Sequence, residues 1–162
     1  MSTGAFSLGP ALLFCPADRP ARFANAAQRA DAVILDLEDA VAAADRPAAR
    51  SALVEHPLDP ATTMVRVNGV GSADFDDDLA ALAGTGYRTV MLPKASHPSQ
   101  LAALAGYDVV ALCETAAGIL AAPQIAACPN VVALMWGAED LVASLGGISS
   151  RFADGTYRDV AR

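Results

Sequence analysis

Glu114 and Asp140 each follow an apolar run, VVALCE and VVALMWGAED. Between them, Thr115 to Cys128 reads as one helix with its turns. A strand, a helix and a second strand form a right-handed parallel crossover that often sets the two strands side by side. Carboxylates at the ends of two such strands can share one hard cation, and two carboxylates plus water and substrate oxygens are the usual holders of Mg²⁺. Glu139 is the alternative neighbour; solvated loop carboxylates are the plain reading. Arg66 in MVRVN shares a strand face with Met64 and Asn68. If that strand is buried on both faces, the guanidinium needs partners. It either pairs with the acidic turn Asp36-Leu37-Glu38-Asp39 or clamps a substrate carboxylate or enolate with its rigid fork. In that acidic turn, Asp36 and Glu38 face one way and Asp39 the other. Its carboxylates either favour the next helix dipole or order metal-bound water and a basic neighbour. Lys94 in MLPKA and Arg19 in CPADRP are two strand-end cations that could meet a phosphate or simply be solvated. Gly137 permits close backbone approach. His56 and His97 precede prolines and read as structural, and Trp136 reads as core.

The elements that must position these groups recur. Six β-like runs are expected at Ala11–Pro16, Ala32–Asp36, Thr63–Asn68, Arg88–Pro93, Asp108–Cys113 and Asn130–Trp136. Helical patterns follow them: from Pro20 through Ala27, Ala40 to Glu55 with Pro47 limiting it, Asp74 to Ala83, Pro98 to Leu104 with Ser96 as cap, and Gly118 to Ala127 interrupted by Pro123. Strand and helix in alternation predict βα units and a parallel sheet. The units repeat about every 25 residues, and a closed eight-unit barrel at that spacing needs about 200 residues plus ends. The 162 residues therefore predict one domain, either an open doubly wound sheet or a barrel lacking its last quarter. The tail Tyr157–Arg162 reads as the start of a helix without a C-cap.

Composition narrows the function classes. A net charge of −7 argues against a broad nucleic-acid surface but leaves room for a small anionic ligand. Hydrophobic content of 54%, much of it alanine, predicts a folded, helix-containing protein. Three scattered cysteines predict reduced thiols in the cytoplasm. The N-terminal MSTGAFSLGP lacks the pattern of a secretion signal, and no run approaches a membrane span.

Taken in order, LFCPADRPARF, VILDLEDAV, MVRVNG, VMLPKA, ALCETAAG, MWGAEDL and SSRFADGTYRDVAR resemble the CitE-like proteins. These belong to the HpcH/HpaI aldolase superfamily, with citrate lyase β subunits and 3-hydroxyacyl-CoA lyases among its members. The resemblance implies a TIM barrel, of which this chain supplies about six of eight βα units, usually trimeric, with Mg²⁺ at the mouth. It implies metal ligands Glu114 and Asp140, substrate contacts from Arg66 and Glu114, and supporting roles for Glu38 and Asp39; the close backbone approach at Gly137 makes it a further substrate-side candidate. Arg19 and Lys94 match positions near the path of coenzyme A phosphates. Family chains continue through two more strands and a C-terminal region that helps trimerise. In several relatives that region supplies an acid/base to the neighbouring subunit. The function implied is Mg²⁺-dependent cleavage of a short 3-hydroxyacyl-CoA to acetyl-CoA and a keto acid. The alternatives are a CoA-independent pyruvate-type aldolase and an inactive barrel fragment.

Overall fold

The computed structural model describes residues 6–159. Six strands, β1 (Leu12–Pro16), β2 (Ala32–Asp36), β3 (Thr63–Arg66), β4 (Thr89–Leu92), β5 (Asp108–Leu112) and β6 (Val131–Met135), form one sheet. Neighbours are strictly in chain order and every pairing is parallel. A doubly wound sheet reverses its order at a switch point. This sheet never does, so its arrangement is that of consecutive barrel units, with β1 and β6 as the edges of the described sheet.

Helices α1 (Phe23–Ala27), α2 (Arg46–Glu55), α3 (Phe75–Ala83), α4 (Ser99–Ala102), α5 (Ala116–Ala126) and α6 (Ala138–Ser144) follow the strands in turn. Alternation along the strands sorts the core into two layers. Val33, Leu35, Val65, Val90, Leu92, Val109 and Ala111 pack outward with helix residues such as Phe23, Leu53, Leu82, Leu101 and Ile125. Ile34, Met64, Met91, Val110 and Leu112 form the inner layer, joined by Leu12, Val132 and Met135. Strands apolar on both faces are what a parallel sheet requires. Asp36 and Arg66 end their strands on the inner face, and Glu114 continues it beyond β5.

Several local expectations change. The helix expected from Ala40 begins at Ala43 as a short 3-10 turn and becomes α-helical at Arg46, with Pro47 in its first turn. Asp36 delays it, because its carboxylate accepts the Glu38 and Ala40 N–H groups and holds that segment as a turn. Ser96 does not cap α4. The Gln100 side chain reaches back instead, accepting the N–H groups of Ser96 and His97 at 2.8 and 2.9 Å. Pro123 lies inside α5 without ending it. Trp136 is not core: it is 56% exposed just past β6, where no further strand covers the described sheet. Tyr157 forms an antiparallel bridge with Arg151 rather than entering a helix. Arg158 lies outside any helix and Asp159 has a 3-10 conformation; residues 160–162 of the expected helix lie outside the described residues, as do the first five of the N-terminal segment.

Helix α5 is fixed at its start by Thr115, whose hydroxyl accepts the Gly118 N–H at 3.0 Å. A Cβ on Gly118 would sit inside contact distance of the Ala95 carbonyl oxygen. Helix propensity alone favours Gly118→Ala by about 1 kcal/mol. Overpacking against fixed backbone costs about 1–3 kcal/mol. We expect net destabilisation, read as a lower urea midpoint with unchanged slope; a higher midpoint would show that α5 can move off the β4–α4 loop.

Candidate active site at the carboxyl ends of the strands

The groups singled out in the sequence converge where the strands end. Register sets Asp36 directly opposite Arg66. The Arg66 Nε and Nη2 donate to the two Asp36 carboxylate oxygens at 2.7 and 2.5 Å, a bidentate pair. Asp36 is 0% exposed. The third guanidinium nitrogen, Nη1, lies 3.2 Å from Glu38 Oε2. Phe14 from β1 underlies the guanidinium at 4.7 Å from its ring centroid, a cation–π distance. Burial alone would push the Arg66 pKa down; its Asp36 hydrogen bonds and the nearby carboxylates more than offset this and raise it.

Lys94 draws the other carboxylates together. Its ammonium lies 2.5 Å from Glu38, 3.3 Å from Asp39 and 3.9 Å from Asp140. Its backbone N–H donates to Glu114 Oε1 at 3.0 Å. Asp39 was expected to face away from Glu38, yet both reach Lys94. The reason is that β2 ends at Asp36, so strict alternation stops before them.

Glu114 is buried, and its carboxyl pKa is pushed up to about 7. Loss of water is the main cause, with Asp140 and Glu38 adding repulsion against the Lys94 contributions. Gly137 sits beside it: any Cβ there would fall inside contact distance of Glu114 Oε2. With any side chain at Gly137, this carboxylate would have to move. Asp140 lies in the first turn of α6.

Five carboxylates (Asp36, Glu38, Asp39, Glu114 and Asp140) thus face two cations, Arg66 and Lys94. Glu38 Oε2 is buried without a hydrogen-bond partner. This surplus of negative charge, with one buried carboxylate resisting ionisation, suits a divalent cation. Among the described residues no three His, Cys, Asp or Glu side chains are grouped tightly enough to enclose an ion. Two carboxylates completed by water and substrate oxygens are how Mg²⁺ is usually held.

Arg19 stands apart. Its side chain is 61% exposed and pairs with Asp18 at 3.2 Å. Sequence reasoning did not choose Asp36 as a site residue. The available signal was an acid on one strand and an arginine on the next, on the same face at the same height. A cavity of about 710 Å³ lined by Leu101, Tyr107 and Cys128 opens at the opposite ends of the strands, away from this cluster.

The HpcH/HpaI aldolase/citrate lyase family model matches residues 11–107 and 105–157. The chain belongs to this family. Family membership agrees with the consecutive parallel units seen here. A citrate lyase subunit beta-like protein of Mycobacterium tuberculosis is 64% identical over 154 residues, covering 95% of this chain and 56% of its own length. The crystal structure of CitE from Mycobacterium tuberculosis in complex with magnesium, acetoacetate and coenzyme A superposes with a TM-score of 0.93 at 62% identity, covering 96% of this chain and 58% of that one. An L-malyl-CoA/beta-methylmalyl-CoA lyase of Rhodobacter capsulatus is 33% identical, covering 83% of this chain and 49% of its own. The chain therefore spans about half the length of these family members.

Proposed function

We propose that this chain carries the principal mouth residues of a Mg²⁺-dependent carbon–carbon lyase. Its substrate is a short 3-hydroxyacyl-CoA bearing a second carboxylate, of the citramalyl, malyl, citryl or hydroxymethylglutaryl type. The products are acetyl-CoA and a keto acid. The observation that carries this reading is the convergence of Glu114 and Asp140 from adjacent units β5 and β6, with Arg66 on the same inner face. The relatives named for malyl-CoA cleavage, and the CitE structure holding magnesium, acetoacetate and coenzyme A, support it.

Glu114 and Asp140 hold the Mg²⁺. Bound there, the ion supplies a fixed positive charge against the enolate that cleavage develops. Asp36 locks Arg66 Nε and Nη2, and Nη1, which lies beside Glu38 Oε2, is the nitrogen that would turn to substrate oxygens, so the donor is already oriented. Glu38 and Asp39 hold Lys94, and Glu38 also lies against Arg66. Gly137 lets Glu114 lie against the start of α6 and leaves backbone open to substrate. Arg19, exposed beside Asp18, would meet a coenzyme A phosphate. The working protein is a cytoplasmic homo-oligomer, a trimer as in its family. One observation favours a second reading, a CoA-independent aldolase acting on a pyruvate enolate: CitE from Mycobacterium tuberculosis also crystallises with magnesium and pyruvate. Substrate-dependent release of acetyl-CoA separates the two.

The metal assignment is testable on this chain. A ligand that binds only the folded state at 100 times its Kd stabilises by about 2.7 kcal/mol. Saturating Mg²⁺ should therefore raise the Tm, and the Glu114→Ala/Asp140→Ala double variant should lose the gain. An unchanged Mg²⁺ response in the double variant would remove both residues from the ligand set.

A further inference from the structure

We propose that the Lys94 ammonium is the site's own displaceable counter-cation. It offsets part of the negative charge of Glu38, Asp39 and Asp140 while no divalent ion is bound, and it competes with such an ion for the cluster. This rests on the reading that Glu114 and Asp140 are the metal ligands.

Two independent features point to Lys94. It is the one non-glycine residue with positive φ (51°) among the described residues. That left-handed conformation is unfavourable for a residue with a Cβ, and such residues gather at functional sites. The turn does two things at once. It aims the backbone N–H at Glu114 Oε1, 3.0 Å away. It also sends the side chain back across the strand ends to carboxylates in the segments that follow β2 and β6. Lys94 thus touches both proposed metal ligands, one through its backbone and the other through its ammonium.

The second feature is the contrast with Arg66. Arg66 is buried and held by a two-point fork, so it cannot leave without stranding Asp36. Lys94 is 42% exposed and binds through a point charge on a flexible stem. Its contact with Asp140 is the longest of the three. The ammonium can swing from Asp140 into water at little cost, keeping Glu38. A divalent ion therefore enters against one positive charge, and Lys94 lowers its affinity.

Isothermal titration with MgCl₂ on wild type, Lys94→Met and Lys94→Gly tests this. Glycine suits the left-handed backbone, so it removes the charge without added strain. Both variants should bind Mg²⁺ roughly ten-fold more tightly, the size expected for removing one nearby charge at a partly solvated site. Lys94→Arg, which keeps the charge, should stay within about three-fold of wild type on the same ground. The Tm gain from saturating Mg²⁺ should be larger in Lys94→Met than in wild type. Unchanged or weaker binding in Lys94→Met and Lys94→Gly overturns the proposal while leaving the ligand assignment intact. A Glu114→Gln/Asp140→Asn control that still binds Mg²⁺ like wild type overturns the ligand assignment, and this proposal with it.

Discussion

Replacing Arg66 by methionine is expected to cost about 3–5 kcal/mol of folding stability, the usual price of removing one partner from a buried ion pair. Asp36 is fully buried and takes two of its hydrogen bonds from that guanidinium. Without Arg66 its carboxylate keeps only the Glu38 and Ala40 N–H groups. Urea unfolding of Arg66→Met and of Asp36→Asn/Arg66→Met measures this. The double variant should recover much of the loss, because no buried charge is then left unpaired. Equal losses in both would mean that packing against Phe14, not charge pairing, sets the cost. Arg66→Lys keeps the charge but cannot fork. In a full-length relative carrying this motif, we expect the same change to lower kcat by roughly 10²-fold, comparable with losing one oxyanion donor. A fall below about threefold, with the fold intact, would make Arg66 a structural residue alone.

Glu114 produces the opposite sign. A carboxyl pushed up to about 7 in the fold, against an ordinary 4.5, binds its proton more tightly folded than unfolded. Ionising it therefore costs stability. The cost is absent below the unfolded pKa and grows as pH rises from about 4.5 to about 7, reaching on the order of 3 kcal/mol above that. Glu114→Gln removes the charge and keeps an oxygen for the Lys94 N–H. Without divalent ions, the variant should be more stable than wild type at pH 8, and the advantage should vanish near pH 4.5. Mg²⁺ should then reverse the order at pH 8, by stabilising wild type alone. Thermal melts across pH, with and without Mg²⁺, check both parts. A constant difference between the two proteins at all pH values would show that Glu114 is not the titrating group.

Local pattern made much of this protein legible. All six strands lie within the apolar runs read from the sequence, because a strand buried on both faces must be continuously apolar over about five residues. Proline and glycine punctuation placed most helices to within a few residues. Placement at the strand ends also read directly: Glu114, Asp140, Arg66, Glu38 and Lys94 stand where βα units expose their carboxyl ends. Other features depended on groups distant in the chain. Chain order in the sheet, which separates a barrel from a doubly wound fold, depends on which strands become neighbours. Asp36 meets Arg66 thirty residues away only because parallel register sets them opposite. Lys94 turns inward because carboxylates in the segments that follow β2, β5 and β6 surround it, enough to hold a left-handed backbone that local propensity disfavours. The lack of a side chain at Gly137 matters only because Glu114, from the preceding unit, occupies the space a Cβ would take. Trp136, which pattern alone assigns to the core, lies exposed because burial depends on what covers a strand's edge.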